Sequence, residues 1–313
     1  MSPVITSGEP VVPAWRPPPD EVVRRLELTV LRRLDGLLQG DYRGLVPGHG
    51  AEPGETRPYE PGDDVRRIDW NVTARMQSVH LRESIADHEL ELYLVMDLSP
   101  SLSFGTANST KRTLALDAAG TIALLANRSG NRIGAVIGTG GGEVLVPART
   151  GRQALLSMLH RIGKVESRDG SGAVDLAGLM SCSLRTARRR GLVVVVSDFL
   201  DGGPWDRSLR MLVQRHDVVA IEVLDPRELD LPDVGLLMVR DPETGRVRDI
   251  DTRSSGIRER YRAAAEAQRT QIKARIRRTG ASHLRLRTDG DWLLELAQFV
   301  SRRKHLANVG GRP

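Results

Sequence analysis

The chain has 313 residues with 40% hydrophobic and 27% charged side chains, which favours one main soluble domain with a smaller appended region. Its single cysteine, Cys182, excludes an internal disulfide framework and a cysteine-rich zinc site and fits a reducing, cytoplasmic setting. No apolar run approaches the roughly 20 residues of a membrane helix, and we expect no signal peptide at the N-terminus. The net charge of +6 is spread over helices in which acids separate the arginines, which favours solvated helix faces over a nucleic-acid surface.

The N-terminal region lacks the pattern of a regular sheet. Residues 1–19 are rich in proline, which indicates a flexible arm. A helix is predicted over residues 20–40, because apolar side chains recur there at helical spacing behind Asp20, a suitable N-cap. Residues 41–80 have no sustained period and many glycines, prolines and charges. Residues 20–85 are therefore predicted as a helix followed by an irregular charged segment.

Residues 86–305 alternate between strand and helix patterns, and residues 306–313 are predicted as a flexible tail. Short apolar runs predict buried strands, and apolar positions three and four residues apart predict the helices between them. The predicted strands cover residues 90–96, 132–138, 143–147, 192–196, 217–224 and 282–286. The alternation predicts an α/β fold with a doubly wound, mostly parallel sheet, in which ligands bind beyond the carboxyl ends of the strands.

Polar side chains follow two of these predicted strands. Asp97, Ser99 and Ser101 come directly after the first of them, and Asp198 comes after the fourth. If these strands are neighbours, four oxygen ligands meet at the carboxyl edge of the sheet, an arrangement suited to Mg²⁺ or another divalent cation. The alternative is that Asp97 and the serines cap the following turn and helix by hydrogen bonds.

The Asp-x-Ser-x-Ser pattern resembles the metal-ion-dependent adhesion site (MIDAS) of von Willebrand factor type A domains. A longer segment resembles the signature of a bacterial family called domain of unknown function 58 (DUF58), in which such a segment precedes a type A domain. In this chain it reads Tyr59-x-Pro61-Gly62-Asp63-Asp64-x-Arg66-x-Ile68-Asp69-Trp70, followed by Ala74-Arg75. Residues 225–235 and 241–245 also resemble the family, and the match covers roughly residues 20–305.

The resemblance implies a von Willebrand factor type A-like, Rossmann-type domain without known catalytic activity. It also implies association with a MoxR-type AAA+ ATPase, for which such a protein serves as a cofactor or as an adaptor for a client protein. In this interpretation, an ion held by Asp97, Ser99, Ser101 and Asp198 keeps one position open for an acidic side chain of the partner. The resemblance therefore favours a non-enzymatic, cytoplasmic adaptor that recognises a protein.

One position departs from the adhesion-site pattern. Type A domains add a threonine ligand from a loop between the two motifs, and the matching stretch, residues 170–176, places Val174 there. Valine offers no oxygen, so that either Ser171 replaces the threonine or the ligand is absent. The predicted divalent site is incomplete unless Ser171 contributes.

Six charged and aromatic residues of the family signature allow two interpretations. They are Asp63, Asp64, Arg66, Asp69, Trp70 and Arg75. In the first interpretation, ion pairs between acids and arginines pin the irregular segment with Trp70 buried, because such a segment has few regular hydrogen bonds. In the second, the same charges form an exposed surface that recognises a partner or a nucleotide. The structural interpretation is favoured.

The alternative from another functional class is a metal-dependent hydrolase or phosphatase that uses the same carboxylates. Such an enzyme needs a general base or nucleophile beside the ion, and Asp63, Asp64 and Asp69 are the densest supply of candidates. The seven histidines include no pair at His-Glu-x-x-His spacing, and no nucleophile elbow surrounds Ser99 or Ser197. These patterns favour the adaptor over the enzyme.

Overall fold

The computed structural model describes residues 4–5, 33, 56–60, 63, 65, 68–82, 90–165 and 172–310. The chain divides into two compact units, the larger formed by residues 1–46 and 90–313 and the smaller by residues 47–89. The predicted helix over residues 20–40 lies outside the described residues, apart from Arg33, which is helical.

The described strands are numbered here in chain order. They are β1 (Val4–Ile5), β2 (Thr56–Pro58), β3 (His80–Arg82), β4 (Glu91–Asp97), β5 (Arg132–Thr139), β6 (Gly142–Arg149), β7 (Gly191–Ser197), β8 (Asp217–Leu224), β9 (Leu236–Arg240), β10 (Val247–Asp251) and β11 (Ser282–Arg287).

The described helices are numbered in the same way. They are α1 (Trp70–Met76), α2 (Lys111–Arg128), α3 (Arg152–Lys164), α4 (Leu176–Thr186), α5 (Trp205–Arg215), α6 (Ser255–Thr279) and α7 (Trp292–Gly310).

Six strands form the central sheet of the larger unit, in the order β11-β8-β7-β4-β5-β6. All neighbouring pairs are parallel except β5 and β6, which form an antiparallel hairpin at one edge. Every side chain of β4 and β7 is buried, which explains why both strands are almost continuously apolar in sequence. The predicted doubly wound, mostly parallel α/β sheet is confirmed.

Helices cover both faces of this sheet and complete two apolar cores. On one face, Leu94 and Met96 of β4 pack with side chains of α2, α3 and α7. On the other face, Val95 of β4 and Val193 of β7 pack with side chains of α4, α5 and α6. Because successive side chains of a strand point to opposite faces, each strand contributes to both cores. The two packed cores thereby hold the carboxyl ends of the parallel strands in fixed positions.

A second, three-stranded antiparallel sheet, in the order β1-β9-β10, also belongs to the larger unit. Its hairpin, β9–β10, is inserted between β8 and β11 and turns through Asp241 to Arg246. The pairing of β1 with β9 was not predicted, because Val4 and Ile5 lie within the predicted flexible arm. Two residues are too short to show a strand pattern in sequence.

The smaller unit contains α1 and the antiparallel pair β2–β3, with a single bridge between Ile68 and Leu81. At the other end of the chain, α7 continues to Gly310, five residues into the predicted tail, because nothing before Gly310 breaks the helix.

Gly191 begins β7 and pairs with Glu91 of β4. A Cβ atom at Gly191 would overlap the carbonyl oxygen of Glu91, and this backbone atom cannot move without distorting the sheet. We predict that Gly191→Ala lowers the free energy of unfolding by about 2 kcal/mol or more, as measured by urea denaturation.

Gly163 of α3 is the matched control, because a Cβ atom there meets nothing within 4 Å. Alanine is also the better helix former, so Gly163→Ala should raise the free energy of unfolding by roughly 0.5–1 kcal/mol. Equal effects of the two substitutions would contradict the close approach of β4 and β7.

Candidate functional site: a buried ionic cluster at the carboxyl edge

The loops that follow β4 and β7 meet at the carboxyl edge of the sheet, because these two strands are hydrogen-bonded neighbours. Asp97 is the last residue of β4, and a short 3-10 turn, Pro100–Ser103, follows it. Asp198 comes directly after Ser197, the last residue of β7. The topology therefore brings the two predicted motifs together.

Four predicted residues form one hydrogen-bonded cluster, and all four are buried. The Ser99 amide donates to Asp97 Oδ1 over 2.9 Å, and the Ser99 and Ser101 hydroxyl oxygens are 3.0 Å apart. Ser101 Oγ donates to Asp198 Oδ2 over 2.8 Å, which links the two loops. Ser197 Oγ donates to Asp97 Oδ2 over 2.6 Å. The two motifs are therefore close together, and Asp97 makes a turn-stabilising hydrogen bond, whereas the Ser99 side chain makes no cap hydrogen bond to the 3-10 turn and Thr110 caps α2.

Lys111, the first residue of α2, places its ammonium group against this cluster. Its Nζ donates to Asp198 Oδ2 over 2.8 Å and to Glu228 Oε1 over 2.6 Å. The Lys111 side chain is 0% exposed, and both carboxylates are buried as well. Such a lysine is among the least common residues in a protein interior unless carboxylates pair with it.

A second buried cation, Arg269 of α6, extends the network. Its guanidinium donates to the Asp198 carbonyl oxygen at 3.0 Å and to Glu228 at 3.2 Å, and it lies 3.4 Å from Glu222. Arg285 of β11 donates to Glu222 over 2.9 Å. Asp198, Glu222 and Glu228 are thus each matched with at least one cation, as charges in a low-dielectric interior require.

The pKa values of the cluster follow from this pairing. Burial alone would raise the pKa of Asp198, but the charge and hydrogen bond of Lys111 hold that pKa below its ordinary value. Burial would lower the pKa of Lys111, but Asp198 and Glu228 raise it instead. No cation among the described residues pairs with Asp97, and burial and then the negative charge of Asp198 raise its pKa to about 6. Asp97 is the carboxylate of the cluster whose ionisation is least well compensated.

Glu243, in the turn between β9 and β10, adds an acidic side chain near the cluster. Burial and then the negative charges of Asp198 and Asp97 raise its pKa. Asp241 fixes the turn, because its carboxylate accepts hydrogen bonds from the amides of Glu243 and Thr244. The inserted hairpin therefore contributes to the electrostatics of the sheet edge.

Phe199 directly follows Asp198 and has a φ of 55°, which a bulky side chain adopts only under constraint. Its amide donates to Ser197 Oγ, and its buried ring packs edge-on against Trp205 with centroids 5.2 Å apart. The packing and the hydrogen bond together hold the strained turn. Because of this turn, Asp198 faces Ser101 and Lys111.

Asp225, at the end of β8, organises the neighbouring loop. Its carboxylate accepts hydrogen bonds from the amide and hydroxyl of Thr106 and from the hydroxyl of Thr288. It also caps the 3-10 turn that contains Glu228 in a reciprocal capping box. The Asp-Pro-x-Glu pattern at residues 225–228 thus delivers Glu228 to Lys111.

Sequence reasoning missed Lys111, Arg269, Glu222 and Glu228, although three of them left a signal. Lys111 lies three and seven residues before Leu114 and Ala118, and is therefore on the buried stripe of α2. Arg269 stands in the same relation to Ile272 and Ile276 of α6. Glu222 interrupts an apolar strand. A charge on an apolar stripe indicates a buried ionic partner.

The donor set fits a divalent ion poorly. Asp198 already bonds an internal ammonium group, and Val174, in the place of the threonine ligand, is buried in the apolar core. Ser171, its suggested replacement, lies outside the described residues. Among the residues that the structure describes, no group of three or more His, Cys, Asp and Glu side chains is arranged to hold a metal. The divalent cation stays a prediction.

The signature residues lie in the smaller unit. Asp69 caps α1, because its carboxylate accepts hydrogen bonds from the amides of Asn71 and Val72. Asp63 accepts a hydrogen bond from the Glu60 amide. Arg75 is exposed in the last turn of α1, and Asp64 and Arg66 lie outside the described residues.

The expectation that Trp70 is buried is wrong, since 70% of this residue is exposed. The reason is local: α1 has seven residues and buries none of them. An exposed tryptophan is compatible with the recognition interpretation of the signature.

The sheet order and the antiparallel edge strand define an α/β protein with a doubly wound, mostly parallel sheet, and the two strand-end motifs lie side by side at its carboxyl edge. The chain belongs to the family described as protein of unknown function DUF58, whose model matches residues 55–271. The uncharacterized protein Rv1480 of Mycobacterium tuberculosis and the uncharacterized protein Mb1516 of Mycobacterium bovis are each 49% identical to it. Each match covers 92% of this chain and 90% of the relative.

Two solved structures resemble the chain more distantly. BatB from Bacteroides thetaiotaomicron is 14% identical, with a TM-score of 0.45 over 69% of this chain and 99% of that chain. A von Willebrand factor type A structure from Catenulispora acidiphila is 16% identical, with a TM-score of 0.34 over 45% of this chain and 35% of that chain. In the part of the chain that the structure describes, no helix is long and apolar enough to cross a membrane.

Glu222 provides a test of the ionic network by pH. Burial alone would raise its pKa, but hydrogen bonds from His283 and Arg285 and the charges of Arg269 and Arg285 hold it below the ordinary 4.5. A depressed pKa stabilises the folded state above the unfolded pKa, and this stability is lost as the pH falls through the folded pKa. We predict that Glu222→Gln removes about 3 kcal/mol of unfolding free energy at neutral pH.

The variant should also lose less further stability than the wild type on acidification below about pH 4.5, as measured by urea denaturation over a pH series. Glu259→Gln, at an exposed position of α6, is the control and should follow the wild type. A parallel acid response of Glu222→Gln and wild type would show that Glu222 is not the ionised partner of the network.

Proposed function

We propose that this protein is a non-enzymatic, cytoplasmic adaptor that binds a protein partner through the carboxyl edge of its type A-like sheet. The observation that carries the proposal is the buried cluster in which the loops after β4 and β7 and the start of α2 share Asp198. This cluster fixes the polar edge of the sheet on a rigid base. In type A-like folds this edge is where ligands are expected to bind.

The state of the carboxylates supports a scaffold more than a catalyst. Asp97 and Asp198 are buried, and each accepts hydrogen bonds from at least two neighbouring groups. A general base or nucleophile needs a lone pair directed at a substrate. Carboxylates occupied within the protein instead position the loops around them.

The partner that we propose is a MoxR-type AAA+ ATPase, with a client protein that the adaptor presents to it. The resemblance of the signature segment to its family supports this proposal. The exposed Trp70 of the signature segment is a side chain that such a partner can contact.

Affinity capture of the full-length chain at native expression level, followed by mass spectrometry, tests this proposal. We expect a AAA+ ATPase among the enriched proteins, and we expect Asp97→Ala to reduce its enrichment by about tenfold, since loss of this carboxylate releases the loop after β4. Asp249→Ala, at an exposed position of β10, is the matched control and should retain the ATPase.

Thermal unfolding of each variant distinguishes loss of the edge from loss of the fold. The proposal fails if no AAA+ ATPase is enriched with the wild-type chain. It also fails if Asp97→Ala, folded at the assay temperature, captures as much ATPase as Asp249→Ala.

The purified chain should also leave a panel of phosphoester substrates unhydrolysed in the presence of Mg²⁺. A hydrolase would need an accessible base or nucleophile beside the cluster. Turnover that disappears in Asp97→Asn, with the fold intact by circular dichroism, would favour the phosphatase alternative over the adaptor.

A further inference from the structure

We propose that the ammonium group of Lys111 is the permanent cation of this site and takes the place of a divalent metal ion. In this arrangement the Asp-x-Ser-x-Ser loop is held without metal. The inference concerns how the cluster is held together and does not depend on the identity of the proposed partner.

The first argument is position. The Lys111 ammonium and the Ser101 hydroxyl donate to the same oxygen, Asp198 Oδ2, over 2.8 Å each. The ammonium group and the loop after β4 are therefore linked through a single oxygen atom of Asp198. A metal at this oxygen would have to displace the ammonium or bind beside it, against like-charge repulsion.

The second argument is the location of Lys111 in its helix. A cation in the first turn of a helix faces the positive end of the helix dipole, which is unfavourable, and full burial adds a desolvation penalty. Both penalties are offset only by the two carboxylates, Asp198 and Glu228, that the ammonium contacts. The two buried carboxylates therefore favour a cation at the position of the Lys111 ammonium group.

The third argument is charge. The network together with Asp97 contains the buried cations Lys111 and Arg269, the partly exposed Arg285, and the carboxylates Asp97, Asp198, Glu222 and Glu228. Three positive and four negative charges leave a net charge of −1, taking His283 as neutral. Without the charge of Lys111 the same groups would carry −2, which one divalent ion would neutralise. Removal of this charge should therefore turn the cluster into a metal site.

The fourth argument comes from the position of the missing ligand. Val174 packs in the apolar core against Gly138, where a Cβ atom would overlap it, so this position supplies an apolar contact and no oxygen ligand. A site that has both an internal cation and an apolar side chain at the third ligand position is consistent with metal-free assembly.

Binding of Mn²⁺ alone, followed by electron paramagnetic resonance, tests the inference on the purified full-length chain. Wild type and Lys273→Met, a control at an exposed lysine of α6, should bind no Mn²⁺ at millimolar concentration. Lys111→Met should bind Mn²⁺ at least about tenfold more tightly than wild type, and its unfolding temperature should rise with Mn²⁺. Adding Ser99→Ala to Lys111→Met should weaken this binding, because it removes a ligand. EDTA should leave the unfolding temperature of wild type unchanged.

Lys111→Gln also removes the positive charge but leaves fewer carboxylate oxygens without a donor, because the glutamine amide can still donate to Glu228. Wild-type Mn²⁺ binding that Asp97→Asn abolishes would overturn the inference and favour the divalent site predicted from the family pattern. Failure of both Lys111 variants to gain Mn²⁺ binding would also overturn it, because the ammonium would then not stand where a metal fits.

Discussion

The ion pair between Lys111 and Asp198 is the contact on which the carboxyl edge of the sheet depends. One carboxylate oxygen of Asp198 accepts hydrogen bonds from Lys111 at the start of α2 and from Ser101 in the loop after β4. Asp198 itself is fixed by the end of β7 and by the strained turn at Phe199. Breaking a buried pair by removing one partner leaves an unmatched charge, which destabilises proteins by several kcal/mol. The pair therefore connects the end of β7 and the loop after β4 with the start of α2.

The network continues from this pair across half of the sheet. Glu228 bridges Lys111 and Arg269, and Arg269 reaches Glu222 in β8, which Arg285 of β11 also contacts. An ionic layer thus lies along the edge of a sheet whose interior is apolar. Replacing such a layer by hydrophobic residues would often preserve or raise stability, so that its presence favours a role in specifying geometry.

The six strands of the central sheet were predictable from sequence because their signal is local. The apolar run ending at Met96 and the one ending at Val196 each encode a buried parallel strand, and Asp97 and Asp198 follow them directly. Neighbouring strands then place both carboxylates together, which needs no knowledge of the rest of the chain. The ionic partners were not predictable in the same way, because Lys111 and Glu228 are 117 residues apart and only the tertiary fold brings them together.

Some information about the site was nevertheless present in local patterns. Lys111 and Arg269 each stand on an apolar helical stripe, and a charge in such a position requires a buried partner that sequence cannot name. For Trp70 the local pattern gave the wrong result, because a seven-residue helix buries too little surface to cover this side chain. Hydrophobic identity predicts burial only where a neighbouring element is available to cover the side chain.

The proposed internal cation would change how a type A-like site can be controlled. A bound divalent ion exchanges with solvent, so that its concentration sets the fraction of sites that are formed. A lysine cannot leave, and the loops that it holds are formed whenever the chain is folded.

Control of partner binding would then lie in groups around the cluster. Glu243 is one such group, since it is half-buried on an inserted hairpin and its pKa responds to burial and to the charges of Asp198 and Asp97. A partner that approaches this edge meets an acidic side chain rather than an exposed metal, so that a basic or hydrogen-bond-donating group on the partner is the complementary chemistry.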